Sequence, residues 1–314
     1  MVNKHYISLG VIVGVACFTG NVSAATVTAI TNEQCLAMKN VGVMSPSAPV
    51  SCQRLKQVTF NYRDFSGHKH SNGKIIVMDA VAPYVGKIFD ELYQQGFPIH
   101  KAEPIEKYRG DDTKSMIANN TSAFNYRPVE GTSSLSLHAY GAAIDLNPVQ
   151  NPFVTFPRTG QAKYSPVEGT KYANREIYRY GKPDRQGMAE TVVDIFARNG
   201  FLYWGGFWDS PIDYQHFQLS RDMAIMMSKM TEQQATLFFE HYVDWYNSCS
   251  RMYPKAYGQY KFNDYTNYLK HKLGVSSLNK AYSANSAKVL AEIEKQPVRY
   301  SLCVETIKLY PSDF

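Results

Sequence analysis

Two short segments, Ser136–Asn147 and Asp213–Gln218, hold the residue types of a hydrolytic metal centre. The first supplies His138 and Asp145, the second Asp213 and His216. Two imidazoles and a carboxylate form a ligand set that takes zinc tetrahedrally and leaves a fourth position for water. Zinc lowers the pKa of such a water from about 16 towards about 7. A second carboxylate beside it can take the water's proton and pass it to a leaving amine. His138, Asp145 and His216 are therefore the candidate ligands for one zinc ion per chain, and Asp213 is the candidate general base. On a continuous strand Asp213 and His216, three residues apart, would face opposite ways. Pro211 predicts a turn that brings them to one point.

A developing oxyanion needs a positive or hydrogen-bonding partner, and Arg127 in Asn125-Tyr126-Arg127-Pro128 is the leading candidate. Two rivals share the chain. His68 and His70 would lie on one face of a strand, but in a polar, Gly-flanked turn with no evident third ligand. Ser136, His138 and Asp145 suggest a serine triad, without the nucleophile-elbow motif that would support it.

The elements that must position these residues are legible as alternation and helical spacing. Val58–Tyr62 and Lys74–Met78 read as a hairpin around a turn-rich Ser66–Gly73. A helix is predicted over Ala80–Gln95, capped by Asp79, with Pro83 in its first turn and Gly96 as its stop. Residues 111–135 read as a loop or short irregular helix. Ala143–Asn147 reads as a strand with Ile144 and Leu146 towards the core and Asp145 and Asn147 towards the cleft. The small Gly141, Ala142 and Ala143 let His138 fold back towards Asp145. A second helix is predicted over Gly187–Asn199. Phe201–Trp204 and His216–Leu219 read as strands, the latter burying Phe217 and Leu219 while His216 and Gln218 face the cleft. Hairpin connections favour an α+β fold, a small antiparallel sheet with flanking helices carrying a zinc cleft.

Beyond residue 222 the pattern is helical and tyrosine-rich. Thr231–Gln234 resembles a capping box, and further helices are predicted near 259–273 and 285–295. Tyr253, Tyr257, Tyr260, Tyr265 and Tyr268 suit packing better than sugar stacking. The organisation expected is a signal peptide over 1–24, an N-terminal region over 25–54, a zinc domain over 55–222 and a helical extension over 223–314.

The 314 residues are 44% hydrophobic and 19% charged, which suits a folded chain. The net charge of +6 is scattered, with no basic run to suggest nucleic acid. Lys4 and His5 precede an apolar Ile7–Phe18, too short to span a bilayer, and Val22-Ser23-Ala24 then offers a signal-peptidase site with Ala25 as the new terminus. No later run resembles a transmembrane helix. Export leaves Cys35, Cys52, Cys249 and Cys303, an even set for which proximity favours Cys35–Cys52 and Cys249–Cys303.

Ser136-x-His138-x-x-Gly141-x-Ala143-x-Asp145 followed by Asp213-x-x-His216 resembles the zinc D-alanyl-D-alanine carboxypeptidase family, which includes vancomycin-resistance D,D-carboxypeptidases and L-alanyl-D-glutamate endopeptidases. Asn120–Arg127, Asn147–Pro152 and Gly200–Trp208 are similar to stretches around the family's motif. The resemblance implies zinc on His138, Asp145 and His216, Asp213 as base, and Arg127 on the oxyanion or substrate. It further implies Ser136 as a substrate or supporting contact, a peptidoglycan stem peptide as substrate, and a bacterial periplasmic or secreted location. Phe207 stands where relatives often have an acidic residue. The hedgehog signalling domain is similar in fold, so the alternative is a catalytically silent protein that binds peptidoglycan or a partner. Residues 223–314 match nothing in the family. They are left to narrow the cleft, bind the wall or dock a protein partner.

Overall fold

The computed structural model describes residues 24–158, 160–252 and 265–295, together with Cys303. Residues 1–23, the body of the expected signal peptide, and Tyr253, Tyr257 and Tyr260 lie outside the described residues.

The expected hairpin forms, longer than predicted and with a tighter turn. Strand β2 (Leu55–Arg63) runs antiparallel to β3 (Lys69–Met78), with Leu55 opposite Met78. β1 (Thr26–Ala29) pairs with the other edge of β2. The N-terminal region thus shares this sheet. Helix α1 (Asn32–Asn40) is tied back to it by the Cys35–Cys52 disulfide. Helix α2 (Ala82–Gln94) covers the sheet with Val85, Ile88, Phe89 and Leu92, the apolar stripe of a helical period. Phe89 stacks on Phe60 of β2 with ring centroids 3.7 Å apart.

Two local expectations are corrected. Asp79 does not cap α2. Its side chain is fully buried and paired with Arg54, whose guanidinium also reaches the carbonyls of Met227 and Met230. The helix expected over Gly187–Asn199 is broken into a 3₁₀ turn at Ala189–Thr191 and a later α-helix at Val193–Arg198. Thr191, Val192 and Val193 are consecutive β-branched residues, which resist a continuous helix.

Short strands carry the expected zinc ligands Asp145 and His216. β4 (Lys101–Ala102) and β5 (Asn120–Thr121) make a small parallel pair, with α3 (Asp112–Ile117) between them in sequence. β6 (Ala143–Asp145), β7 (Phe153–Thr155) and β8 (Lys163–Ser165) follow. Then come α4 (Val193–Arg198), β9 (Tyr203–Trp204), β10 (Ile212–Asp213) and β11 (His216–Gln218). They pair antiparallel as two three-stranded sheets, β6-β11-β9 and β10-β7-β8. The expected α+β architecture, small antiparallel sheets with flanking helices, is thus formed, its strands here kept short by Pro148, Pro152, Pro211 and the Gly205-Gly206 pair.

The C-terminal part is helical: α5 (Arg221–Lys229), α6 (Glu232–Met252), α7 (Tyr265–Leu273), α8 (Leu278–Ala284) and α9 (Ser286–Glu294). The capping box at α6 is reciprocal: Gln234 N–H donates to Thr231 Oγ1 at 3.2 Å, and Thr231 N–H to Gln234 Oε1 at 3.1 Å. Phe238, Phe239, Tyr242, Tyr265 and Tyr268 join the same core as α2 and the sheet strands. Both described tyrosines of the expected set are therefore packing residues. A second disulfide joins Cys249 to Cys303. No helix among the described residues is long and apolar enough to cross a membrane.

Candidate metal centre

Antiparallel pairing of β6 and β11 sets His216 directly opposite Asp145, and Phe217 opposite Ile144. Facing residues on one side of such a pair bring their Cβ atoms to about 5 Å. The reverse side buries Ile144, Phe217 and Leu219 completely, which locks the register. His138 reaches the same point from a 3₁₀ turn, Leu137–Tyr140. Ser136 Oγ caps that turn by accepting the His138 N–H at 3.3 Å. Gly141 closes it at φ 65°, and its carbonyl accepts the Met78 N–H at 2.9 Å, pinning the turn to β3.

His138, Asp145 and His216 are the one group of three metal-competent side chains among the described residues, all buried. His138 Nε2 lies 3.2 Å from His216 Nδ1 and 3.1 Å from Asp145 Oδ2, and His216 Nδ1 lies 2.9 Å from Asp145 Oδ1. Tetrahedral zinc with bonds of about 2.0–2.1 Å spaces its ligands by roughly 3.3 Å. The donor triangle is therefore close to the size such an ion requires. The remaining ring nitrogens are spoken for. His138 Nδ1 donates to the Ala123 carbonyl at 2.6 Å, leaving Nε2 as a lone pair. His216 Nε2 stands 2.8 Å from Gln218 Oε1 and donates to it, leaving Nδ1 free to ligate.

Burial pushes the Asp145 carboxyl up, but the charges and hydrogen bonds of His138 and His216 outweigh it and hold the group well below the usual range. Burial pulls the His216 imidazole down, while Asp145, Asp213 and Gln218 together raise it to about 9. A proton on that ring competes with a cation for Nδ1, so metal affinity falls as pH drops below this value. Gln218→Ala removes the acceptor that sets the tautomer and is expected to weaken zinc binding about 10- to 100-fold. Competition with a chromogenic chelator measures this; an unchanged affinity would mean that Gln218 does not orient the ring.

Asp213 stands at the end of β10, which pairs with β7 through Ile212 and Val154. The reversal that brings it beside His216 falls at Tyr214–Gln215, not at Pro211 as expected. That turn is held from three sides. Trp204 Nε1 donates to the Tyr214 carbonyl at 2.8 Å, Leu146 N–H to the Gln215 carbonyl at 3.0 Å, and the Arg175 guanidinium lies 4.2 Å over the Tyr214 ring. Gly205 approaches so closely that a Cβ there would meet the Asp213 carbonyl at 2.4 Å. Asp213 Oδ1 is buried with no hydrogen-bond partner among the described residues. Burial pushes this carboxyl up to about 7, with Asp145 and Asp112 adding, and the charge of His216 and a hydrogen bond with the Gln215 side chain opposing. A group poised there exchanges protons near neutral pH.

Arg127 is committed to Asp112, Nη2 to Oδ2 at 2.7 Å, while its Nε is buried without a partner among the described residues. Its carbonyl accepts the Ser136 N–H at 3.0 Å, which couples the arginine to the His138 turn. Asp112 is felt by Asp145, His138 and His216. Burial raises its carboxyl against the pull of Arg127, with Asp145 raising it further and the two histidines opposing. It opens α3 in the stretch expected as a loop or irregular helix, and sequence reasoning does not single it out. The available signal is the Asp111-Asp112 pair at a helix start, with Asp111 accepting the Lys114 N–H. Trp208, its ring 5.6 Å from that of His216, is a second neighbour of the site absent from the sequence expectations.

Other expectations resolve differently. Ser136 Oγ meets the backbone of His138 and not its ring nitrogens, which are taken as described, so no serine triad is assembled. His68 and His70 converge on Asp64 at 3.2 and 2.9 Å, a third partner not evident from the sequence, without forming a metal-competent trio. Asn147 does not face the cleft. It sits at φ 44°, two residues past β6, and turns inward to donate to Pro98 and accept from His100.

A family model described as D-alanyl-D-alanine carboxypeptidase matches residues 130–219. That span contains His138, Asp145, Asp213 and His216 and stops just short of Arg127. The match supports the resemblance to the zinc D-alanyl-D-alanine carboxypeptidase family and, more generally, a peptidase. No curated protein and no solved structure matches the chain.

Proposed function

We propose that this chain is an exported zinc metallopeptidase that hydrolyses a peptide bond in the stem peptides of bacterial peptidoglycan, as a D,D- or L,D-carboxypeptidase or endopeptidase. One observation carries the reading: a buried His138–Asp145–His216 triangle of metal-sized spacing lies within charge–charge reach of Asp213, a half-buried aspartate whose Oδ1 is enclosed and satisfied by no described residue. A structural carboxylate would have its hydrogen bonds met. The donor set fits zinc, which supplies when bound the Lewis acidity that makes water nucleophilic near neutral pH.

The chain's own residues do the rest. Asp213 accepts the proton that water gives up on attack and returns it to the departing amine. Arg127, steadied by Asp112, offers its unpaired Nε to the substrate's carbonyl or carboxylate oxygen. Ser136 supports the His138 turn. The Cys35–Cys52 and Cys249–Cys303 disulfides support a life in an oxidising compartment.

The test is mass spectrometry of isolated muropeptides after incubation with the purified, zinc-loaded protein. Loss of a defined residue or scission at one stem position is expected, abolished by a chelator and restored by zinc. Bound zinc with no change in any muropeptide would favour the silent binding protein instead.

A further inference from the structure

The backbone nitrogen of Ala25 is held by a carboxylate. It lies 2.9 Å from Asp90 Oδ1 and 3.1 Å from Asp90 Oδ2. An amide carries one proton and divides it poorly between two acceptors. An ammonium carries three and satisfies both. Asp90 lies on α2 and is half-buried. Burial pushes its carboxyl up, the Ala25 N–H opposes this, and no cationic side chain among the described residues contributes. The site thus presents a desolvated anion with one neutral donor where a cation would fit.

The seat is shaped for this residue. Ala25 packs against the hydrophobic core, and its methyl lies 3.3 Å from where a Cβ on Gly86 of α2 would stand. Ala24, one residue earlier, is exposed. The Val22-Ser23-Ala24 run with small residues at the recognition positions ends at the same bond. Sequence and contact therefore pick out one junction independently.

We propose that hydrolysis of the Ala24–Ala25 bond by a signal peptidase creates an ammonium at Ala25 that docks on the Asp90 carboxylate and latches β1 and the mature N terminus to α2. Water adds across the amide. The new carboxylate leaves on Ala24, and the freed amine takes up a proton to become the cation. Processing thus supplies the counter-ion that Asp90 otherwise lacks among the described residues, and couples export to the stability of the first sheet. The latch does not depend on the chemistry at the metal centre.

Intact-mass analysis of the protein recovered after export is expected to place its first residue at Ala25. The energetic test uses the full mature chain in two forms, one beginning at Ala25 and one carrying two extra residues before it, each with and without Asp90→Asn. This substitution is expected to lower Tm by about 2–4 °C in the form that begins at Ala25, and by less than a third of that in the extended form. The extension alone is expected to lower Tm to a similar degree. A start elsewhere, or an Asp90→Asn effect equal in both forms, would overturn the proposal. Asparagine is close in shape to aspartate, so both variants are expected to fold.

Discussion

Asp213→Asn is expected to cut turnover on isolated muropeptides by about 10²- to 10⁴-fold, the range typical of a lost general acid–base group, while zinc content stays at that of the unsubstituted protein. The amide has the carboxylate's shape but cannot take a proton from water or return one to the leaving amine. His138, Asp145 and His216 are untouched, so the ligand triangle persists. The stability readout separates catalysis from architecture. Asp213 Oδ1 makes no hydrogen bond to a described residue, and burial disfavours its charge. Neutralising it relieves that desolvation while giving up its attraction to His216 and its hydrogen bond with the Gln215 side chain, so Tm should change little. A structural aspartate would give the opposite pair, lost stability with activity falling only in proportion to folded protein. Turnover within about threefold of the unsubstituted enzyme would place the base elsewhere, and Asp112 would be the next candidate.

The metal ligands are legible in the sequence because their chemistry is written in residue types and their geometry in a simple period. His216 opposite Asp145, with Phe217 and Ile144 buried behind them, follows from alternation along two short strands. The helical extension is legible for a similar reason, since Thr231 and Gln234 announce the start of α6 and its apolar residues recur at helical spacing. What stays hidden depends on contacts between distant segments. The Arg54–Asp79 pair reaches across to Met227 and Met230, and no local pattern distinguishes a buried ion pair from a helix cap. Asn147 has the spacing of one more cleft-facing strand residue, but its positive φ turns it inward. Asp112 lies in a polar stretch, and only the tertiary fold brings it to Arg127. Proline is the visible turn signal near Asp213, yet the reversal falls at Tyr214–Gln215. The real anchors, Trp204, Leu146 and Arg175, are remote in sequence from the turn they hold.

Gly141→Ala is expected to show how much of the centre rests on one backbone crossing. The position has φ 65°, a conformation costing an L-residue about 1–2 kcal/mol. A methyl there would also stand 2.5 Å from the Met78 nitrogen and 2.9 Å from the Val77 carbonyl carbon. Both are backbone atoms of β3, held by their pairing with β2, so neither can swing aside as a side-chain tip would. Relief must come from moving the Leu137–Tyr140 turn, which breaks the Met78-to-Gly141 hydrogen bond and carries His138 away from Asp145 and His216. Strain, clash and lost bond together are expected to cost about 2–5 kcal/mol, seen as a fall in Tm, with zinc affinity weakened in parallel. Gly42→Ala is the matched control. Its φ is 79°, yet a methyl there would meet nothing within 4 Å. It should cost only the backbone strain and leave zinc affinity unchanged. If the two substitutions prove equal, the turn yields without disturbing His138. The approach of Gly141 to β3 would then be a packing accident, not the support on which the first ligand is carried.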